Sequence, residues 1–304
     1  MSVRRRKLHE LKIKFTVWLV LFCFVVFSSA RAQQQASPMV DHTRPHPRIA
    51  QTEARGRRID LTTLKGAKVF VTPSLNPDKP VPLLVHFHGA PWLVEVVVAQ
   101  HLPRAALITI QLGSGSSVYR KPFEDVKLFR AMLDEAKQGL GLKQGWSSVT
   151  LTGFSAGYGG IRQVLRTPEY FADVNSVLLL DAMHASYAPE GKLLADGGAI
   201  NSPDVDVYLE FARQASLGKK NFVFTHSEIF PGTYASTTEC ADYLLAQLSL
   251  KQKPELKTGP IGMQQLSVVD VKGFHLRGYA GNTAQDHVDH FQAMSAWFEL
   301  LKIR

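Results

Sequence analysis

Two short runs, Leu83-Leu84-Val85 and Val177-Leu178-Leu179-Leu180, are apolar at every position. A strand with one wet face alternates polar and apolar residues, so strands of this kind must be covered on both faces. Helices packed on both sides of a mainly parallel sheet meet that demand, because parallel neighbours need long crossovers that are usually helical. The chain supplies the alternation. Strands are expected over residues 67–72, 82–88, 106–112, 148–153, 176–181, 221–226 and 266–271, and helices over 123–139, 156–166, 205–214, 236–250 and 285–301. In the last of these, Val288, Phe291, Met294, Phe298 and Leu301 share one helical face. The expected fold class is α/β, with a mainly parallel central sheet covered by helices on both faces.

Residues 1–32 read as an export leader and are set apart from the fold. Arg4, Arg5, Arg6 and Lys7 begin it, the apolar run from Phe15 to Phe27 is broken only by Thr16, and Ala30-Arg31-Ala32 fits a small-x-small cleavage site. As a helix that run is only about 20 Å long against a hydrocarbon core of about 30 Å, which favours cleavage over a retained span. A secreted or periplasmic location follows as the expectation. The leader holds seven basic residues and one acidic residue, so the net charge of +9 falls to +3 without it. The basic balance therefore belongs to targeting, and no nucleic-acid partner is expected. Beyond the leader only Cys240 remains, which excludes an intramolecular disulfide and leaves burial to stabilise the fold. About 270 residues suffice for one core. The polar, proline-marked residues 33–59 read as a flexible N-terminal arm, 60–304 as one domain, and 185–219 as a small cap insertion.

The chemistry concentrates at Gly153-Phe154-Ser155-Ala156-Gly157, which follows the strand Val149-Thr150-Leu151-Thr152 and precedes a helix. A serine perched on a sharp strand-to-helix turn needs small neighbours, and Gly153, Ala156, Gly157, Gly159 and Gly160 provide them. Upstream lies Val85-His86-Phe87-His88-Gly89-Ala90; near the C-terminus, Thr283 and Asp286 form a capping-box pattern that puts His287 at the end of a first helical turn. Alternate strand residues His86 and His88 face one side, as metal ligands could. The flanking acidic residue of a zinc-hydrolase signature is missing and Gly89-Ala90-Pro91 offers no ligand side chain, so no metal is expected.

In these motifs and their order, residues 82–301 resemble the α/β-hydrolase superfamily of serine hydrolases, esterase and lipase-like. The resemblance implies Ser155 as nucleophile, oxyanion-hole N–H groups from Ala90 and Ala156, and a histidine base near the final helix. Its position favours His287, with His290 and the weaker His275 as alternatives. The acid falls after either of two strands: Asp181 at the tip of the more apolar one is preferred, with Glu228 and Glu239 open. The expected activity is cleavage of a small-molecule or polymer carboxylic ester through an acyl-enzyme, without a cofactor. A serine peptidase and a catalytically silent binding relative are the alternatives. Trp92, Tyr158, Tyr187 and Tyr234 fall near the expected site loops and are candidates for a substrate-binding wall. Nothing in the sequence fixes an oligomeric state.

Overall fold

The computed structural model describes residues 46–303; the expected leader lies outside them. Twelve strands follow in chain order. They are β1 (Arg57–Asp60), β2 (Ala67–Val71), β3 (Val81–Phe87), β4 (Ala106–Ile110), β5 (Trp146–Phe154) and β6 (Val174–Leu180). After them come β7 (Tyr187–Ala188), β8 (Ala199–Ile200), β9 (Asn221–His226), β10 (Lys253–Thr258), β11 (Gln264–Val271) and β12 (Phe274–Tyr279). All but β7 and β8 form one open ten-stranded sheet in the order β1-β2-β4-β3-β5-β6-β9-β12-β11-β10. The central pairs from β4 to β12 are parallel, and both margins are antiparallel.

The helices used below are α1 (Pro91–His101), α2 (Ser116–Arg120), α3 (Leu128–Leu140), α4 (Tyr158–Leu165), α5 (Pro168–Asp173), α6 (Asp206–Ser216), α7 (Thr237–Leu248) and α8 (Ala284–Gln292). Successive strand residues feed opposite faces of the sheet. Leu83, Val85 and Phe87 enter the apolar layer shared with α3, α4, α6 and α7, while Leu84 enters the layer shared with α1 and the C-terminal segment. Val177 and Leu179 likewise part from Leu178 and Leu180. The uninterrupted apolar runs thus arise from two dry faces, and each such side chain contributes about 1.5–3 kcal/mol of burial.

Several elements depart from the sequence expectation. Val94 and Val96-Val97-Val98 favour extended backbone, yet Pro91–His101 is a helix, apolar nearly all round and buried from Leu93 to Val98. Pro91 in its first turn starts it. The buried Glu95 is answered by Arg58, whose Nη2 lies 2.6 Å away. The polar stretch expected to be an arm is docked where it is described. His46 Nδ1 lies 2.7 Å from Asp289 Oδ2, Ile49 N donates to Gln292 Oε1 at 2.9 Å, and β1 joins the sheet margin. The final helix breaks at Ala293, so Met294 and Trp297 reach the core from a 3₁₀ turn. Residues 185–219, expected as a cap insertion, hold β7, β8 and α6. In α6 itself, Tyr208, Phe211, Ala212 and Ala215 are fully buried in the main apolar layer.

The turn into α4 lies so close to β3 that a Cβ on Gly157 would stand 2.2 Å from the Phe87 carbonyl oxygen. Gly157→Ala is therefore expected to cost about 1–3 kcal/mol, as overpacking does. Gly145→Ala, whose Cβ meets nothing within 4 Å, is expected to change stability by less than about 0.5 kcal/mol. Urea denaturation of the two variants checks the contrast.

Candidate active site

Three neighbouring parallel strands, β3, β5 and β6, end in residues with left-handed backbone: His88 (φ 66°), Ser155 (φ 46°) and Asp181 (φ 43°). Side-chain-bearing residues adopt that region at a cost, and here the cost falls at the carboxyl edge of the sheet, where open α/β sheets place their ligands. At β5 the chain turns from Phe154 into a 3₁₀ turn at Ser155–Gly157 and then into α4. The turn is possible because Gly153, Gly157 and Gly160 let β5, β3 and α4 approach within Cβ-excluding distance.

Asp181 is buried, and its carboxylate is saturated with donors. Ser227 N and Thr237 Oγ1 donate to Oδ1 at 2.9 and 2.7 Å; Ser227 Oγ and His287 Nδ1 reach Oδ2 at 2.7 and 2.6 Å. Burial pushes the carboxyl pKa up, but the nearby His290 ring and the bonds from His287 and Thr237 overcome it and hold Asp181 well below the usual carboxylate range. A carboxylate only accepts, so Nδ1 of His287 carries the proton of this bond and Nε2 is left facing away from Asp181. His287 sits where the capping box puts it: Thr283 Oγ1 accepts from Asp286 N, and Asp286 Oδ2 accepts from Thr283 N. Its ring packs on Phe154, the residue before Ser155, with centroids 4.6 Å apart. Ser155 Oγ makes no hydrogen bond among the described residues.

The remaining acid and base candidates are engaged elsewhere. Glu228 is exposed and accepts from Gly281 N, and Glu239 caps α7 while accepting from Tyr187 OH. His290 is buried with Nδ1 on Thr225 Oγ1 at 2.7 Å, and His275 pairs with Asp270 on the β11–β12 hairpin. His86 has neither ring nitrogen to spare: Nε2 donates to the His88 carbonyl at 2.6 Å and Nδ1 accepts from Thr152 Oγ1 at 2.8 Å. It thereby braces the turn that carries Gly89 and Ala90. Ala90 is the N-cap of α1 and Ala156 lies just ahead of α4, positions where backbone N–H groups favour an anion. His46, Asp286 and Asp289 bring one ligand atom each within 4.8 Å of one another. Asp289 already pairs with His46 and Arg48 there, and Asp286 serves the helix cap.

A cavity of about 430 Å³ opens beside Ser155, walled by Ala156, Tyr158, Arg162, His184 and Tyr234 among others. His184 stands edge-on to both tyrosines, with centroids 5.6 Å from Tyr158 and 5.0 Å from Tyr234. Of the expected wall residues Tyr158 and Tyr234 line this cavity. Tyr187 does not: it is buried, with its hydroxyl tied to Glu239. Trp92 does not either, because the first turn of α1 lays it against the second apolar layer. Sequence reasoning missed Ser227 and Thr237, whose signal is position: hydroxyls at a strand end and a helix start, the kind a buried carboxylate requires. It also missed Arg162, the one charged residue of α4, two turns beyond Ser155.

Burial holds several imidazoles neutral. It lowers His86 from 6.5 to about 3, and His226 and His290 from 6.5 to about 4. The unfolded chain takes up these protons first, so the stabilisation is complete above about pH 6.5 and is lost as pH falls toward 4. The expected slope approaches about 4 kcal/mol per pH unit if all three titrate in the window. Asp181 adds a further loss that begins as pH falls through the usual carboxylate range and continues below it. Urea midpoints measured between pH 7.5 and 4.5 check this; a flat profile would contradict it.

No protein-family profile matches the chain, and no curated protein matches it. Among solved structures it is similar to one named FAE, at 12% identity and a TM-score of 0.49, covering 89% of this chain and 96% of that one. It is similar to the feruloyl esterase module from Clostridium thermocellum complexed with sinapinate, at 12% identity and a TM-score of 0.47, with the same coverage of 89% and 96%. It is also similar to prolyl oligopeptidase B from Galerina marginata, at 11% identity and a TM-score of 0.42, over 78% of this chain and 35% of that one. The open, mostly parallel sheet, wrapped by helices on both faces and turning from β5 into α4 at a strained serine, is the α/β-hydrolase fold.

Proposed function

We propose that the chain is a serine hydrolase that cleaves carboxylic esters through an acyl-enzyme on Ser155. The observation that carries this is the 2.6 Å bond between His287 Nδ1 and Asp181 Oδ2, made beside the residue that leads into Ser155. His287 Nε2 takes the Ser155 proton as Oγ attacks the acyl carbon, and Asp181 steadies the imidazolium that forms. The N–H groups of Ala90 and Ala156 receive the negative oxygen, each worth roughly 3–4 kcal/mol in enzymes of this chemistry. His287 then returns its proton to the departing alkoxide and activates the water that releases the acid.

A fluorophosphonate is expected to label the protein at Ser155, and Ser155→Ala to abolish labelling and hydrolysis of p-nitrophenyl acetate. Asp181→Asn is expected to lower kcat by about 10⁴-fold, since it favours the wrong imidazole tautomer. Faster turnover of aminoacyl amides than of esters would replace the ester assignment with a peptidase one.

Among the described residues no helix is long and apolar enough to cross a membrane. We propose that the protein acts outside the cytoplasm once residues 1–32 are removed. Mass spectrometry of the exported protein is expected to find Gln33 at the N-terminus; a retained Met1 in that fraction would overturn the assignment.

A further inference from the structure

Arg162 is a charged side chain, nine-tenths buried, on α4, the helix that follows the Ser155 turn, and both residues wall the same cavity. Helical side chains lean toward the N-terminus of their helix, so its guanidinium is carried back toward the nucleophile. There it lies over the Tyr158 ring, one turn earlier, with Cζ 5.4 Å from the centroid. Only one of its three nitrogens is used. Nη1 donates to Asp204 Oδ1 at 2.9 Å and to the Asp204 carbonyl at 3.0 Å. Nη2 makes no hydrogen bond among the described residues, and Nε is buried with no partner. A buried charged N–H left unbonded is costly, and native structures retain few of them without a reason.

Nε is too deeply buried for a ligand oxygen to reach, so Nη2 is the nitrogen that can donate a charge-assisted hydrogen bond to a ligand carboxylate. Asp204 does not compete for Nη2. Its Oδ2 is occupied by Ser186 N, Ser186 Oγ and Asn201 Nδ2, and only Oδ1 and the backbone carbonyl meet Nη1. Tyr158, Tyr234 and a His184 ring kept neutral by burial add no charge to the walls, and the one carboxylate there, Asp204, is already paired with Nη1. We infer that the ester substrate bears a carboxylate on its acyl portion, received by Nη2 of Arg162. The acyl portion is the part that stays bonded to Ser155 Oγ, at the turn leading into the helix that carries Arg162. This inference rests on the hydrolase reading above.

The test uses p-nitrophenyl monoesters of dicarboxylic acids, from succinate to suberate, against p-nitrophenyl alkanoates of the same length. Wild type is expected to prefer the acidic ester at one or more lengths by about tenfold or more in kcat/KM, chiefly through KM. Arg162→Lys keeps a cation beside Asp204 but has no second nitrogen to turn to the substrate, and is expected to bring that preference close to unity. Equal use of both series by wild type, or a preference that survives in Arg162→Lys, would overturn the assignment. Calorimetric binding of the free dicarboxylates to Ser155→Ala protein serves where the lysine variant fails to fold: binding at the length preferred in kinetics supports the inference, and absence of binding at every length sinks it. If neither ester series is cleaved while a dicarboxylate still binds, the hydrolase reading falls and the Arg162 site stands.

Discussion

A carboxylate placed inside a protein must find donors for all of its lone pairs or give up its charge, and Asp181 finds four. Those donors come from distant parts of the chain: Ser227 just beyond β9, Thr237 at the start of α7 and His287 in the first turn of α8. One buried charge thus ties the ends of two adjacent strands to two helices. Removing any donor leaves part of that charge uncompensated, which is why such networks are held as a unit. The geometry that presents His287 and the geometry that closes the fold at this edge are the same hydrogen bonds.

Strain is gathered at that edge too. Left-handed backbone at His88, Ser155 and Asp181 turns three adjacent strands sharply where they leave the sheet. Each is held by what surrounds it. The His88 carbonyl accepts from His86, the Ser155 turn is wedged by the close contact of Gly157 with β3, and Asp181 is fixed by its donors. A strained turn of this kind keeps its shape because the packed layers on either side leave no room to relax.

The doubly dry strands were legible because uninterrupted apolar runs have few other uses, and they carry most of the architecture. The turn at Ser155 and the cap before His287 were legible for a similar reason, since both are local. What escaped was non-local. The valines of α1 obey the layer they are buried in and not their own backbone preference. The polar stretch before β1 gains order from partners more than 200 residues away, such as Asp289 and Gln292. Tyr187 lies next to a site loop in sequence, but its hydroxyl is drawn inward by Glu239. Arg162 shows itself only when its nitrogens are matched with acceptors one by one.

The sheet is open, so it has two free margins, β1 and β10. The first reads Arg57-Arg58-Ile59-Asp60 and the second is Lys253-Pro254-Glu255-Leu256-Lys257-Thr258. Ion pairs such as Lys68 with Asp60 and Lys257 with Glu255 lie along them, and Pro254 withholds an N–H from any incoming chain. Two molecules meeting side by side would have to strip water from these charges before their backbones could zip together. Crowded solutions of the folded protein are thereby guarded against growth into fibres, although the sheet is never closed on itself.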